Sequence, residues 1–427
     1  MPRHRHHPHR RVLTGACLVA VLAACDRTRA DDAPVFAALD SVAVPAAPGS
    51  GEPNLAVGAD GRVHLTWIEP AADSASAVRV ATYGDSGWMP PRTITQSRTL
   101  LVNWADFPVL AAMPGNRLMA YWPERMGPER GAYAVRLSQS MDGGATWSAP
   151  VSPHRDDTAT EHGFVSFFTD GDSLGAVWLD GRRFAAGLDG RPFAAADGEA
   201  GEGTDETMLL ATTISPAGVA SQETFLDTRA CDCCQTSAAT TARGPVVVYR
   251  DRSPAEIRDI AMVRRVDGRW TGPAIVHADG WRIEGCPVNG PAVAALGDSV
   301  VVAWFTAAGD TARVNVAFSS DAGATFGEAV RVDAGAPVGR VAVVLEDDGS
   351  ALVSWLEQSG ARRAELLVRR VGTGGRLSVP QVIAEVGAAR ASGFPRMVRA
   401  GGDAWLAWTE PGTPARVRVA RARLPKR

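Results

Sequence analysis

Cysteines are the first residues in this 427-residue chain whose types and spacing could do chemistry. Cys231, Cys233 and Cys234 lie in Arg229-Ala230-Cys231-Asp232-Cys233-Cys234-Gln235, and Cys286 lies in Gly285-Cys286-Pro287. Four thiols can close two disulfides, or hold copper(I) or zinc as thiolates. Cys233 with Cys286 and Cys231 with Cys234 is the preferred pairing, because C-x-C and vicinal bridges are strained. His162, in Glu161-His162-Gly163, is a candidate metal ligand facing them. A second set is acidic. Glu69, Glu124, Asp180, Asp251, Glu357 and Glu410 each follow an apolar run that ends in an aromatic, and Thr306 takes the equivalent place once. Such a ring could bind a cation or a sugar. It could equally cap loops or pair with Arg125, Arg182, Arg183, Arg250 and Arg252 nearby. Asp180, Asp251, Arg282, Arg340 and Arg396 are the charged residues singled out as site candidates.

Other chemistries are excluded. Lys occurs once, at Lys426, so neither a Schiff base nor a P-loop lysine is available. No GxGxxG, HExxH or GxSxG motif is present. A formal charge of −3 gives no footprint for nucleic acid.

The elements that must position these residues follow from internal repeats. A short apolar strand, a Gly/Asp/Asn turn and a second strand ending in an aromatic recur at Trp67, Trp122, Trp178, Tyr249, Trp304, Trp355 and Trp408. LAVGADGRVHLTW and AVAALGDSVVVAW are clear copies, with Asp60-Gly61 and Gly297-Asp298 as hairpin turns. Third strands such as AYAVRLSQS and VNVAFSS follow, then fourth strands. Four strands in roughly 50 residues is the period of a propeller blade. The expected fold is all-β: a seven-bladed propeller of four-stranded antiparallel blades, with six blades as the alternative. Blades fall near 54–106, 107–161, 162–235, 236–289, 290–339 and 340–394. The seventh, 395–424, takes its fourth strand from residues 35–47, which closes the ring and hides its edges. Register then places every fourth-to-first connection and every second-to-third loop on one face, so the four thiols converge there. The second-to-third loop of blade three, 181–206, is long enough to be a lid or a surface insertion.

Two turns carry a family resemblance. Ser140-Met141-Asp142-Gly143-Gly144-Ala145-Thr146-Trp147 and Ser319-Ser320-Asp321-Ala322-Gly323-Ala324-Thr325-Phe326 both fit S-x-D-x-G-x-T-[WF]. This resembles the Asp-box, or bacterial neuraminidase repeat, of the sialidase superfamily. Ser140, Asp142, Gly144, Thr146 and Trp147, with Ser319, Asp321, Gly323, Thr325 and Phe326, would then brace hairpins away from the active face. The resemblance also implies three arginines holding a carboxylate, a Tyr nucleophile with a Glu partner, and an Asp acid/base. This sequence departs from that pattern. It has no [FY]-R-I-P motif, and the nearest string, Trp281-Arg282-Ile283-Glu284, falls in the wrong blade. None of Tyr83, Tyr121, Tyr133 and Tyr249 lies in a late connection.

The first 24 residues carry Arg3, Arg5, Arg10 and Arg11 before an apolar run. They read as a secretory leader ending in Leu22-Ala23-Ala24-Cys25, which resembles a lipoprotein lipobox. The resemblance implies cleavage before Cys25, lipidation of that residue and a polar tether over 25–34. Losing the leader, with four Arg and no acid, takes the charge from −3 to −7. The expectation is a monomeric, membrane-anchored propeller of the bacterial cell envelope, facing the periplasm or the exterior. It would bind a glycan or protein ligand on the face with the Cys loops and need no cofactor. An exo-α-sialidase type of glycoside hydrolase is the alternative, and a copper or zinc thiolate protein the second.

Overall fold

The computed structural model describes residues 34–128, 131–189, 193–194, 200–201 and 206–425. The leader, the lipidation residue Cys25 and the tether up to residue 33 lie outside them.

Short apolar strands, the second of each blade buried on both faces, build the seven antiparallel sheets of the blades, and Phe193–Ala194 pairs with Ala200–Gly201 outside them. Blade one comprises Gly51–Val57, Val63–Pro70, Ser76–Gly84 and Arg92–Ser97. Blade two has Val109–Met113, Arg117–Arg125 and Tyr133–Ser140, and its fourth strand shrinks to a bridge between Leu137 and Val151. Blade three is His162–Asp170, Ser173–Asp180, Thr207–Ile214 and Thr224–Ala230. Ser237–Thr241, Gly244–Arg250, Ile260–Val266 and Ala274–His277 form blade four. Blades five and six start at Ala292–Leu296 and Pro337–Leu345.

Blade seven joins Arg396–Ala400, Asp403–Glu410 and Arg416–Arg423 to the N-terminal strand Ala38–Val42. Its register runs from Ala38 opposite Arg423 to Val42 opposite Val419. The expected closure is therefore formed, and the last strand has no free edge along this stretch.

The innermost strand of each blade contacts those of both neighbours, so the contacts run round a closed ring of seven. Each gap between blades holds its own apolar cluster. Blades one and two, for example, meet through Val78, Val80, Leu118 and Trp122, and blades five and six through Val314, Val316, Val353 and Trp355. Trp67, Trp122, Trp178, Trp304 and Trp355 are among the largest fully buried side chains. Truncating such a Trp to Ala typically costs about 3–5 kcal/mol. The repeated aromatic is thus the wedge between sheets.

The buried indoles also explain the repeated acids. Trp67, Trp178 and Trp355 donate their ring N–H to the carboxylate two residues on: Glu69 at 2.7 Å, Asp180 at 2.9 Å and Glu357 at 2.6 Å. In blade five, where Thr306 replaces the acid, Trp304 donates to Asp279 at 2.6 Å. Glu69, Asp180 and Glu357 are thus partners for buried donors, which would otherwise cost a desolvation penalty, whereas Glu124 and Glu410 pair with Arg136 and Arg418.

Both S-x-D-x-G-x-T turns have one geometry. Asp142 Oδ1 accepts the Thr146 N–H at 2.9 Å and Oδ2 its hydroxyl, while Ser140 Oγ accepts the Gly144 N–H at 2.8 Å. Asp321, Thr325, Ser319 and Gly323 repeat this pattern. Gly143 and Ala322 reach first-to-second turns of their blades, on the face opposite the Cys loops.

Candidate functional site

On the loop face, connections entering blades two, three and four bring acids and tyrosines together. Asp106, buried just before blade two, accepts the Tyr121 hydroxyl at 2.8 Å and the Phe164 N–H at 3.0 Å. Burial pushes its carboxyl up to about 7, against the pull of those two hydrogen bonds. Tyr133 is buried beside it. A Cβ on Gly163 would meet Asp106 Oδ2 at 2.1 Å and Tyr133 Cε2 at 2.7 Å, so only glycine fits between them. Glu161 is pushed up by burial and by the charge of Asp232. Burial and the acids hold Tyr121 and Tyr133 far above the ordinary phenol range, so both phenols are neutral. Asp106, Glu161 and Asp232 escaped the sequence reading. Their signal was position, since all three stand in fourth-to-first connections near the axis.

Beside them lies an axial cavity of about 290 Å³, lined by Asn54, Asp106, Phe107, Phe164, Gln235 and Arg396 among others. Arg396 stacks over Phe107 at 5.1 Å, and Arg340 over Trp104 at 4.9 Å. Trp104 stacks on Phe394 at 5.7 Å, and Arg390 joins the same ring at 5.7 Å. Arg340 donates to the carbonyls of Gly393 and Ala389. Among the described residues no carboxylate pairs with Arg340 or Arg396. Burial alone pulls Arg396 down to about 10, and burial with the nearby charge of Arg390 does the same to Arg340. Arg282 does not join them. Its side chain is 69% exposed and paired with Glu284, because it sits on an outlying loop rather than at the base of a strand.

Asp180 is locked in place rather than available as an acid. It has no exposed surface, accepts the Trp178 indole, and takes a bidentate pair from Arg182 at 2.7 and 2.6 Å. Asp251 is half-buried and pushed up to about 6 by burial and by Asp227, whose own carboxylate accepts the Tyr249 hydroxyl.

The structure places His162 apart from the thiols. It stacks on His154 at 4.2 Å and meets Asp156 at 3.0 Å and Asp180 at 3.6 Å. Its other nitrogen reaches the Thr160 carbonyl at 3.1 Å. Burial disfavours the imidazolium, but Asp156 and Asp180 outweigh it and raise the His162 pKa. His154, Asp156 and His162 have metal-ligand spacing, yet Arg182 already supplies a cation 3.0 Å from Asp156. The long loop that follows opens with the helix Arg182–Asp189.

Cys233 and Cys286 form the expected disulfide, closing a separation of 53 residues. A loop of that length typically adds about 2–4 kcal/mol. The second expected bridge is not formed: Cys231 and Cys234 are free, buried, and in contact with sulfurs 2.9 Å apart. The Arg258 guanidinium donates to Cys231 Sγ at 3.3 Å. Burial pushes the Cys231 thiol up, but Cys234, the Cys233 backbone N–H, Arg250 and Arg258 together bring it down to about 7. Cys234 is driven the other way by burial and its neighbour. Cys231, Cys233 and Cys234 have the spacing of a metal-ligand set. With Cys233 bonded to Cys286 and an arginine on Cys231, they do not fit a copper or zinc centre in this bonding state.

No sequence family and no curated protein matches the chain. Solved structures with similar shape include a protein of unknown function from Dyadobacter fermentans, at 11% identity and a TM-score of 0.48, covering 91% of this chain and 99% of that one. An α-L-arabinofuranosidase from Fusarium graminearum aligns at 14% identity and a TM-score of 0.47, over 88% and 93%. The NanB sialidase from Streptococcus pneumoniae aligns at 9% and 0.45, over 90% and 94%.

Proposed function

We propose that this chain is a sialidase-like propeller of the bacterial cell envelope, anchored by lipid at Cys25, that binds an acidic glycan on the face carrying the Cys loops. The observation that carries this reading is the pair Arg340 and Arg396. Arg340 is buried and Arg396 half-buried, and each lies over an aromatic ring. Neither has a carboxylate partner among the described residues, and Arg396 lines the axial cavity. A desolvated cation without a counter-charge is costly unless a ligand supplies one. Trp104, half-buried under Arg340, adds an aromatic face for a sugar ring, and Asn54 adds an unpartnered amide at the cavity wall.

The test is binding of uronate, sialate and sulfated saccharides against neutral ones. Acidic ligands should bind, and Arg396→Met should weaken them about tenfold while the fold is retained. Equal binding of neutral saccharides would sink the reading.

A second reading is glycoside hydrolysis. It is favoured by Glu161, whose raised carboxyl beside Asp232 suits a general acid next to a carboxylate. Release of fluorophore from sialosides or other glycosides, abolished by Glu161→Gln, would establish it. Silence across a broad panel would leave binding alone.

A further inference from the structure

The four cysteines are layered. Cys286 is exposed and Cys233 half-buried, while Cys231 and Cys234 lie buried behind them. The non-bonded sulfurs form a short chain: Cys231 Sγ stands 3.8 Å from Cys233 Sγ and 2.9 Å from Cys234 Sγ. Arg258, itself buried, donates one nitrogen to Cys231 Sγ at 3.3 Å, while it also pairs with Glu256 at 3.0 Å and Asp232 at 3.5 Å. A purely structural bridge gains nothing from a second pair of thiols in contact with it, or from a cation on the nearer one. A thiol beside a disulfide, with a cation to hold it as the thiolate, is the arrangement thiol–disulfide exchange uses.

We infer that Cys231, Cys233, Cys234 and Cys286 form a thiol–disulfide exchange relay, in which the buried dithiol passes two electrons to the outer bond and so to a disulfide substrate at the surface. In the first step Cys231 Sγ, as thiolate held by Arg258, attacks Cys233 Sγ. The Cys231–Cys233 bond forms, the Cys233–Cys286 bond breaks, and Cys286 leaves as a thiolate that takes a proton from solvent. In the second step Cys234 attacks Cys231 Sγ. The Cys231–Cys234 bond forms, the Cys231–Cys233 bond breaks, and Cys233 takes the proton Cys234 gives up. Two thiols and one disulfide are present throughout, so the isomerisation needs no outside oxidant.

The dithiol Cys233/Cys286 then reduces a substrate disulfide to two thiols and is itself reoxidised. An external dithiol then reduces the outer Cys233–Cys286 bond, and the two exchange steps run in reverse return the electrons to Cys231 and Cys234 to begin again. Substrate would enter the cleft of about 440 Å³ formed by Asp232, Arg252, Glu256, Arg258 and Glu284 around Cys286. Both signs of charge line it, which suits a peptide segment carrying the disulfide.

The test is disulfide mapping of the purified chain, poised in glutathione buffers, by differential alkylation and mass spectrometry. Two-thiol species should include both Cys233–Cys286 and Cys231–Cys234 arrangements, interconverting when the buffer is changed. Arg258→Met should leave both arrangements but slow their interconversion about tenfold. Cys286→Ser, a change at an exposed position, removes the outer bond and should slow oxidation of the Cys231–Cys234 pair by glutathione disulfide about tenfold. The inference is overturned if Cys233–Cys286 is the sole bond in every partly reduced sample. It is equally overturned if the two two-thiol arrangements form and never interconvert, or if the reduced chain retains stoichiometric zinc or copper through gel filtration. None of these readouts involves saccharide, so this result and that of the glycan test are separate.

Discussion

Tyr121 and Asp106 form a buried pair at the mouth of the axial channel, with the phenolic proton donated to Oδ1 at 2.8 Å. The carboxylate comes from the connection into blade two and the phenol from that blade's second strand. The pair therefore ties a loop on the functional face to the sheet beneath it.

A pH dependence follows. Asp106 is raised to about 7 from 3.8, and burial likewise raises Glu52 to about 7 from 4.5. A raised pKa means the native state holds the proton more tightly than the unfolded chain. The stability this contributes is complete below about pH 4 and is lost as pH climbs through about 7. A tenfold difference in proton affinity is worth about 1.4 kcal/mol, so the loss is on the order of a few kcal/mol for Asp106. Urea unfolding at about pH 5 and about pH 7.5 should show the fall, and Asp106→Asn should flatten it. An unchanged slope in that variant would remove Asp106 as its source.

Asp180 should prove structural. It satisfies the Trp178 indole and holds Arg182, which also reaches Glu223 at 2.9 Å. Asp180→Ala should cost about 3–5 kcal/mol by leaving a buried guanidinium without its main partner. Chemical denaturation measures this. A variant of native stability would contradict the assignment.

Arg396 should behave in the opposite way. Removing a desolvated cation with no acid partner relieves a cost, so Arg396→Met should keep or raise the melting temperature while acidic ligands bind about tenfold more weakly. A fall of more than a few degrees would show that Arg396 supports the fold instead.

Ring closure can be tested by truncation. A chain starting at about Val44 lacks Ala38–Val42 and bares the edge of Arg416–Arg423. It should unfold at lower temperature and aggregate on light scattering. An equally stable, monomeric product would mean the N-terminal strand is dispensable.

Gly163 gives a sharper probe of the site. Ala there cannot fit without displacing Asp106 or Tyr133. Ligand binding should fall with Gly163→Ala even under conditions where circular dichroism still reports a folded propeller.

Periodicity determined the architecture by itself. The aromatics at Trp67 through Trp408 mark the wedges between sheets, and two-residue turns mark the hairpins, because local strand pairing and inter-blade burial both repeat with the chain. The union of Cys233 and Cys286 was legible for the same reason: equivalent connections of adjacent blades must be neighbours. Only the tertiary structure decided what the connections do at the axis. Asp106, Glu161 and Asp232 come from three different blades, and nothing local to any of them signals the other two. His162 turned to His154 and Asp156 rather than to the thiols, because Asp156 and Asp180 lie within hydrogen-bonding or ion-pair reach on its own side. Cys231 and Cys234 stayed reduced in contact, with Arg258 arriving from the third strand's approach to cover one of them. Repeats set which backbones meet; charge and burial among side chains brought from distant repeats set the chemistry where they meet.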